Sequence, residues 1–158
     1  MNTDTQEART EALAFLAAGE TGVLATASKT NQPSARLLYY TSDDSFNVYF
    51  ITLANTRKVE QIKENAKAAF VVADSGMPRT LQLEGELTDL SNEATMDELL
   101  VGFVRKLSSH KTYGIPIEHF DPSAMKFFRL SPSWIRWGDF TFSEGTDEVL
   151  TEIPQSHE

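Results

Sequence analysis

The sequence has no cysteine among its 158 residues, and negative charges far outnumber positive ones. The absence of cysteine excludes disulfides, thiolate metal sites and cysteine nucleophiles. The chain has 14 Lys and Arg residues against 23 Asp and Glu residues, which gives a net charge of −9. This charge argues against nucleic acid or an anionic membrane as a partner, because both would be repelled.

Long apolar runs are also missing. No segment approaches the roughly 18 consecutive apolar residues of a membrane-spanning helix, and the first ten residues, MNTDTQEART, are polar and acidic, unlike a signal peptide. We therefore expect a cytoplasmic protein. Hydrophobic residues make up 41% of the chain, enough for one globular domain, 1–142, followed by an acidic and loosely held tail, 143–158.

What the chain does contain is a series of strand-like segments joined by turns. Apolar alternation predicts strands at 22–28, 34–41, 46–52, 68–73, 79–90, 125–130 and 134–142, the last two flanking Ser131-Pro132-Ser133. The first three strands are expected to form an antiparallel meander. No GxGxxG motif is present, so we predict a mainly β fold of the α+β class with roughly six strands in a barrel or curled sheet, helices on its rim, and no Rossmann topology.

The first candidate site is the start of a predicted helix within the stretch 46–72, where Thr56 is followed by Arg57 and Lys58. The first turn of a helix carries partial positive charge and unpaired N–H groups, so two cations there are unfavourable unless an anion is bound. A phosphate would accept backbone and charge-assisted side-chain hydrogen bonds together. The alternative is a solvated helix start whose long side chains extend into water.

Arg36 is the second candidate. The period of two along its strand places Arg36, Leu38 and Tyr40 on one face. An arginine among apolar and aromatic neighbours needs a carboxylate or phosphate partner, because an unpaired buried charge is costly. The alternative is an arginine at the edge of the sheet that extends its guanidinium to water.

Several segments, taken together, resemble a known family. They are Ala35-Arg36-Leu37-Leu38-Tyr39-Tyr40, Phe50-Ile51-Thr52, Thr56-Arg57-Lys58, Gln61-Ile62-Lys63-Glu64-Asn65, Leu83-Glu84-Gly85-Glu86 and Phe128-Arg129-Leu130-Ser131-Pro132. Their order and spacing, over roughly residues 21–138, resemble the pyridoxamine 5′-phosphate oxidase-like FMN-binding split barrels, particularly the short members called general stress proteins. The resemblance implies an antiparallel split β-barrel with peripheral helices, and a homodimer that holds FMN at the subunit interface.

The resemblance also implies a set of cofactor contacts. By their places in the family's motifs these are Arg36, Leu37, Leu38, Tyr39, Ile51, Thr52, Thr56, Arg57, Lys58, Gln82 and Trp137. Arg36, Arg57 and Lys58 would hold the FMN phosphate, which agrees with the anion that the residues themselves require. The backbone of Arg36 to Tyr39 would line the isoalloxazine ring, and Ile51 and Thr52 would contact the ring and the ribityl chain. Trp137 would approach the flavin, although both tryptophans also fit a core or a dimer interface.

Two departures from the family pattern concern the substrate. Where the oxidase proper carries a glutamine, this chain has Thr80, although Gln82 follows two residues later on the same face. The oxidase has an arginine- and histidine-containing motif near its C-terminus that grips the vitamer phosphate, whereas this chain reads RWGDFTF over 136–142. These differences argue against true pyridoxamine 5′-phosphate oxidase activity.

The leading hypothesis is an FMN-dependent oxidoreductase acting on an unidentified small substrate, with a nicotinamide as one candidate reductant. No general acid or base stands out, since Tyr39, Tyr40 and Thr52 are candidates by proximity alone. A non-catalytic flavin buffer or sensor is the second hypothesis. Binding of haem or deazaflavin is the third, with His110 or His119 as a haem ligand. The spacing of these two histidines does not resemble a metal site.

Overall fold

The computed structural model describes residues 3–74, 76, 78–92, 96–108, 122–141 and 149–155. The strands are β1 (Thr21–Ala27), β2 (Pro33–Tyr39), β3 (Thr41–Ser42), β4 (Val48–Leu53), β5 (Lys67–Asp74), β6 (Arg79–Asp89), β7 (Met125–Asp139) and β8 (Leu150–Glu152). The helices are α1 (Thr3–Ala18), α2 (Arg57–Glu64) and α3 (Met96–Ser108), and a 3₁₀ turn covers Pro122–Ala124. Within these residues, no helix is both long and apolar enough to cross a membrane.

All eight strands belong to one antiparallel sheet, in the order β2-β1-β5-β6-β7-β4-β3, with β8 added on β7. Every second side chain of a strand points inward, so Phe50, Phe70, Leu83 and Leu130 are fully buried. The sheet curls around this apolar core and the helices lie outside it. The predicted mainly β, barrel-like fold with peripheral helices is therefore confirmed.

Helix α1 covers one end of the core with its apolar stripe. Ala8, Ala12 and Leu16 are buried at helical spacing, and the Tyr40 hydroxyl donates a hydrogen bond of 2.7 Å to the Leu16 carbonyl. The helix ends before Gly19, where an added Cβ would lie 2.2 Å from the Tyr40 hydroxyl oxygen. A glycine is required there because the chain passes so close to the tyrosine.

The predicted meander of the first three long strands is wrong. Strands β1 and β2 form the expected hairpin, but β4 pairs with β7, which lies far away in sequence. Phe50 and Phe128 are paired residues whose ring centroids are 5.5 Å apart, so burial of aromatic surface stabilises this non-local pairing. As a consequence β2 lies at the end of the strand order.

The two strands predicted around Ser131-Pro132-Ser133 are one continuous strand, β7. Pro132 lacks an N–H group and would normally interrupt a ladder. The register between β6 and β7 shifts between Glu84 and Gly85, and Gly85 pairs with Pro132. An added Cβ on Gly85 would lie 2.1 Å from the Ser131 carbonyl oxygen. The sheet therefore has a bulge at Gly85, and this bulge allows the strand to continue through the proline.

Part of the predicted loose tail is held against the sheet. Strand β8 pairs with residues 136–138 of β7, and the side chain of Ile153 is 3% exposed. The prediction of a loosely held tail is wrong for residues 150–153, because an apolar side chain anchors this acidic segment. Residues 142–148 and 156–158 lie outside the described part of the chain.

Candidate anion-binding site

Helix α2 begins with two cations and without a side-chain cap. Thr56 occupies the N-cap position with an extended backbone, but it makes no capping hydrogen bond. Its hydroxyl instead donates to the carbonyl of Leu53 at 3.1 Å. No side chain of the N-cap therefore accepts from the first-turn N–H groups beside Arg57 and Lys58, and these groups are suited to an anion.

The guanidinium of Arg36 is held by neutral partners. Its Nη1 donates to Thr26 Oγ1 at 2.8 Å and its Nη2 donates to Gln61 Oε1 at 3.1 Å. Thr26 Oγ1 also donates to Gln61 Oε1 at 2.9 Å, and Gln61 Nε2 donates to Ser34 Oγ at 3.2 Å. Thr26 and Gln61 are each 4% exposed, so a buried polar network fixes the direction of the arginine.

Lys58 approaches Arg36 from helix α2 and also has a neutral partner. Its Nζ donates to Thr52 Oγ1 at 2.8 Å and lies 6.0 Å from the centroid of the Phe50 ring. Thr52 is buried at the end of β4. The strand thus supplies an acceptor and an aromatic face, but no negative charge.

Arg36, Arg57 and Lys58 form what we call the cation cluster. Burial lowers the pKa of Arg36, and the charge of Arg57 lowers it further. Burial likewise lowers the pKa of Lys58, and the charge of Arg36 adds to that effect. Among the described residues, the ion pairs join other side chains, and no carboxylate pairs with a member of the cluster.

This arrangement fits the phosphate of FMN. A phosphate monoester carries about −1.5 to −2 charges at pH 7 and three acceptor oxygens. It would relieve the repulsion within the cation cluster and accept the N–H groups at the start of α2. The neutral partners leave the positive charge uncompensated, so the donor set matches a dianion.

Strand β2 adds a backbone edge beside the cluster. In the described part of the chain β2 pairs with β1 on one side and ends the strand order on the other. Leu38 points into the core while Leu37 is 68% exposed and Tyr39 is half-buried on the outer face. Ile51 is half-buried on the outer face of β4, opposite to Thr52. The hydrogen bonds of Arg36 to Gln61 and of Lys58 to Thr52 bring β2, the end of β4 and helix α2 together.

Two residues of the predicted set lie elsewhere in the same chain. Trp137 is 3% exposed and packs against Phe15, with ring centroids 5.1 Å apart. Gln82 lies on β6 and accepts a hydrogen bond from Arg136 Nη2 at 3.0 Å. Neither contacts the cation cluster through a described hydrogen bond or ring contact, so their predicted role in cofactor binding stays a prediction.

Thr26 and Gln61, which hold Arg36, are not among the site residues predicted from the sequence. Gln61 follows Lys58 by three positions and is buried with Val59 and Ile62 on the inner face of α2. Thr26 follows Leu24 by two positions on the inner face of β1. A polar side chain within each apolar stripe was the available signal, because buried polar groups need partners.

The described clefts of the structure do not include the cation cluster. One cleft of about 590 Å³ is lined by residues that include Tyr39, Asp74 and Arg79. Another of about 480 Å³ surrounds Ala25, Ala69 and Gly85. No group of three or more metal-ligating side chains occurs in the described residues, and the candidate haem ligands His110 and His119 lie outside them.

Comparison with known proteins supports the sequence resemblance. Residues 8–136 match the family model for pyridoxamine 5′-phosphate oxidase. A pyridoxine/pyridoxamine 5′-phosphate oxidase of Wolbachia pipientis is 36% identical over 72 residues. That match covers 46% of this chain and 33% of the Wolbachia protein.

Solved structures share the fold at low sequence identity. A Clostridium acetobutylicum protein related to general stress protein 26 is 15% identical with a TM-score of 0.69, and the match covers 94% of this chain and 96% of that one. An FAD-binding protein of Mesorhizobium loti is 17% identical with a TM-score of 0.60, covering 80% and 91%. A heme-binding protein of Mycobacterium smegmatis is 15% identical with a TM-score of 0.70, covering 94% and 58%.

Proposed function

The chain belongs to the pyridoxamine 5′-phosphate oxidase family, and we propose that it is a flavoprotein that binds FMN and acts as an oxidoreductase on a small molecule. When bound, the flavin supplies the redox chemistry. The protein supplies phosphate binding through the cation cluster and a backbone edge, β2, for the ring. The Mesorhizobium loti structure, which shares the fold, is named as an FAD-binding protein, and FAD is also a flavin.

The observation that carries the proposal is the cation cluster itself. Three cations converge in a chain with a net charge of −9, and two of them are half-buried with neutral partners. Such an arrangement is unfavourable on its own because burial and mutual repulsion both oppose the charged forms. A bound phosphate would offset both penalties, because its negative charge attracts all three cations and accepts their hydrogen bonds.

The proposal includes a homodimer with the cofactor at the subunit interface. Leu37 and Val23 are paired across β2 and β1 and are 68% and 39% exposed. An apolar row on the outer face of a sheet favours contact with another protein surface. This apolar row begins at Leu37 on β2, the strand that also carries Arg36. Light scattering should give twice the chain mass, and a monomer would contradict the interface site.

A non-catalytic flavin-binding role is the second candidate. In the described residues the cation cluster contacts hydroxyl, amide and aromatic groups, and no histidine or carboxylate in a position to transfer a proton. Anaerobic mixing of the flavin-loaded protein with NADH or NADPH separates the two roles. Rapid bleaching of the flavin supports a reductase, and a flavin that stays oxidised supports a buffer or sensor.

Cofactor identity is tested by absorption spectroscopy after incubation with FMN, FAD or haem and removal of the unbound compound. We expect FMN to be retained at one per chain. Retention of haem alone would favour the function named for the Mycobacterium smegmatis structure. Vitamer oxidation is not part of the proposal, because 136–142 lacks the arginine- and histidine-containing motif. We also propose a cytoplasmic location.

A further inference from the structure

Arg136 lies in a second polar site on the outer face of the sheet. Residues paired across adjacent strands share a face, and the register runs from Leu37 through Val23, Val71 and Gln82 to Arg136. Four strand spacings of about 4.8 Å separate the ends of this row, roughly 19 Å. Arg36 points to the inner face instead, so Arg136 does not belong to the cation cluster.

The surroundings of Arg136 hold a positive charge without neutralising it. Its Nη2 donates to the neutral amide of Gln82 at 3.0 Å, and its guanidinium carbon lies 5.2 Å from the centroid of the Trp134 ring. The Nε atom is buried and has no hydrogen-bond partner. No ion pair of Arg136 occurs within the part of the chain that the structure describes.

The carboxylate that pairs with Arg136 across the strands accepts a hydrogen bond from another group. Glu152 pairs with Arg136 across β7 and β8, but its Oε1 accepts a hydrogen bond of 3.2 Å from Trp134 Nε1. Glu84, which pairs with Trp134, lies on the same face. Both carboxylates are exposed. They would repel a ligand with two negative charges more strongly than one with a single charge.

The amide of Gln82 is oriented by Arg136. Because its Oε1 accepts from the guanidinium, its Nε2 is left as a donor, and no acceptor for it occurs among the described residues. A guanidinium and an amide N–H side by side form a donor pair for an oxyanion. The exposed side chain of Val71, paired with Gln82, offers apolar surface next to that pair.

We propose that Arg136 and Gln82 form a binding site for the carboxylate of a small molecule whose apolar part lies on Val71. Arg136 provides the charge, Gln82 provides a second donor, and Trp134 holds the guanidinium in place. The acidic neighbours Glu84 and Glu152 select a singly charged group over a phosphate dianion. The site is separate from the cation cluster and gives Gln82 a role other than the flavin contact that the resemblance implies for it, so it would accept a substrate or effector.

The chain contains two tryptophans, which makes a direct test feasible. In the full chain, with and without FMN, the two indole N–H signals are followed by NMR during titration with benzoate. We expect a saturable shift of the Trp134 signal, assigned with Trp134→Phe, while the signal of buried Trp137 stays in place. Benzyl alcohol, which lacks the carboxylate, should give no saturable shift, and phenyl phosphate should bind more weakly than benzoate.

Substitutions at Arg136 and Gln82 test whether benzoate binds at these residues. Arg136→Gln should weaken benzoate binding at least tenfold, and Gln82→Leu should weaken it less, with an unchanged Trp137 signal showing that the fold is intact. Arg105→Gln, which alters an exposed arginine of α3, serves as the matched control and should have no effect. The proposal is overturned by the absence of a saturable shift, by equal affinity in Arg136→Gln, by tighter binding of phenyl phosphate, or by loss of binding in Arg36→Gln.

Discussion

Lys126 and the cation cluster differ in the charge of their partners: Lys126 has a carboxylate partner, whereas Arg36 and Lys58 have neutral partners. Lys126 forms an ion pair of 2.9 Å with Asp89, and Ser91 hydrogen-bonds the same carboxylate. The Ser91 hydroxyl in turn accepts from the Phe127 backbone N–H at 3.0 Å. In the cation cluster, by contrast, Arg36 and Lys58 hydrogen-bond only neutral groups of the described residues.

The charge of the partner also affects the pKa values of Asp89 and Lys58. Burial acts to raise the pKa of Asp89, but the hydrogen bonds of Ser91 and the charge of Lys126 outweigh it, so this pKa lies below its usual value. In the cation cluster, burial and repulsion both lower the pKa of Lys58. The paired cation has its charge balanced within the protein, whereas we propose that the cluster is balanced by a bound phosphate. This contrast leads to four predictions.

Arg36→Ala should have the largest effect. Loss of a charge-assisted hydrogen bond to phosphate costs about 1.5–3 kcal/mol, so the dissociation constant of FMN should rise roughly tenfold to 150-fold. Flavin fluorescence titration measures this change, and Arg105→Gln provides a control for a general loss of charge. An unchanged affinity would mean that Arg36, like Lys126, serves the fold alone.

Arg57→Gln should weaken FMN binding about tenfold while stabilising the protein without FMN. Arg57 is exposed and lies at the positive end of helix α2, and removing its charge should add about 0.3–1 kcal/mol to the unfolding free energy. Lys63→Gln, in the last turn of the same helix, is the matched control. It should leave FMN affinity unchanged and lower stability slightly. Thermal unfolding without flavin measures both changes in stability. A less stable Arg57→Gln or a more stable Lys63→Gln would contradict the prediction.

The lowered pKa of Lys58 predicts a pH dependence. Its value in the folded chain lies below the ordinary 10.5, so the unfolded state binds more protons between the two values and stability without FMN should rise with pH there. FMN affinity should fall severalfold over the same range, because the neutral amine loses its attraction for phosphate. Lys58→Arg should remove this fall, since a guanidinium stays charged. If FMN affinity depended on pH in the same way in the wild type and in Lys58→Arg, Lys58 would be excluded as the titrating group.

Asp89→Asn should have the smallest effect. The pair is partly exposed, so we expect a loss of at most about 1 kcal/mol in unfolding free energy and no change in FMN binding. Because the pKa of Asp89 is depressed, the advantage of the wild type is present above the ordinary value of 3.8 and is lost as the pH falls through the lower folded value. Denaturant unfolding at pH 7 and pH 3 measures the difference in unfolding free energy between the wild type and Asp89→Asn. A larger difference at pH 3 than at pH 7 would contradict the prediction.

Local patterns in the sequence predicted the strands and the cluster's cations. Arg57 and Lys58 stood out because two cations at a helix start oppose the helix dipole. Arg36 stood out because period two placed it with Leu38 and Tyr40. Both signals lie in residues that are close in sequence, so they are visible without the strand order.

Non-local features were missed for a physical reason. The pairing of β4 with β7 depends on the fit of Phe50 to Phe128, which alternation along one strand does not encode. Pro132 predicts a break in its strand because the bulge that accommodates it lies in another strand, at Gly85. Gln61 was missed because its partners, Thr26 and Arg36, are brought to it by the β1–β2 hairpin.

The most direct test of the central claim compares the dissociation constants of FMN and riboflavin, which differ by the phosphate alone. If the cation cluster binds that phosphate, two or more charge-assisted contacts should make FMN bind at least about a hundredfold more tightly. The preference should collapse in the double variant Arg36→Gln, Arg57→Gln. Equal affinity for FMN and riboflavin in the wild type would contradict the assignment of the cluster as a phosphate site.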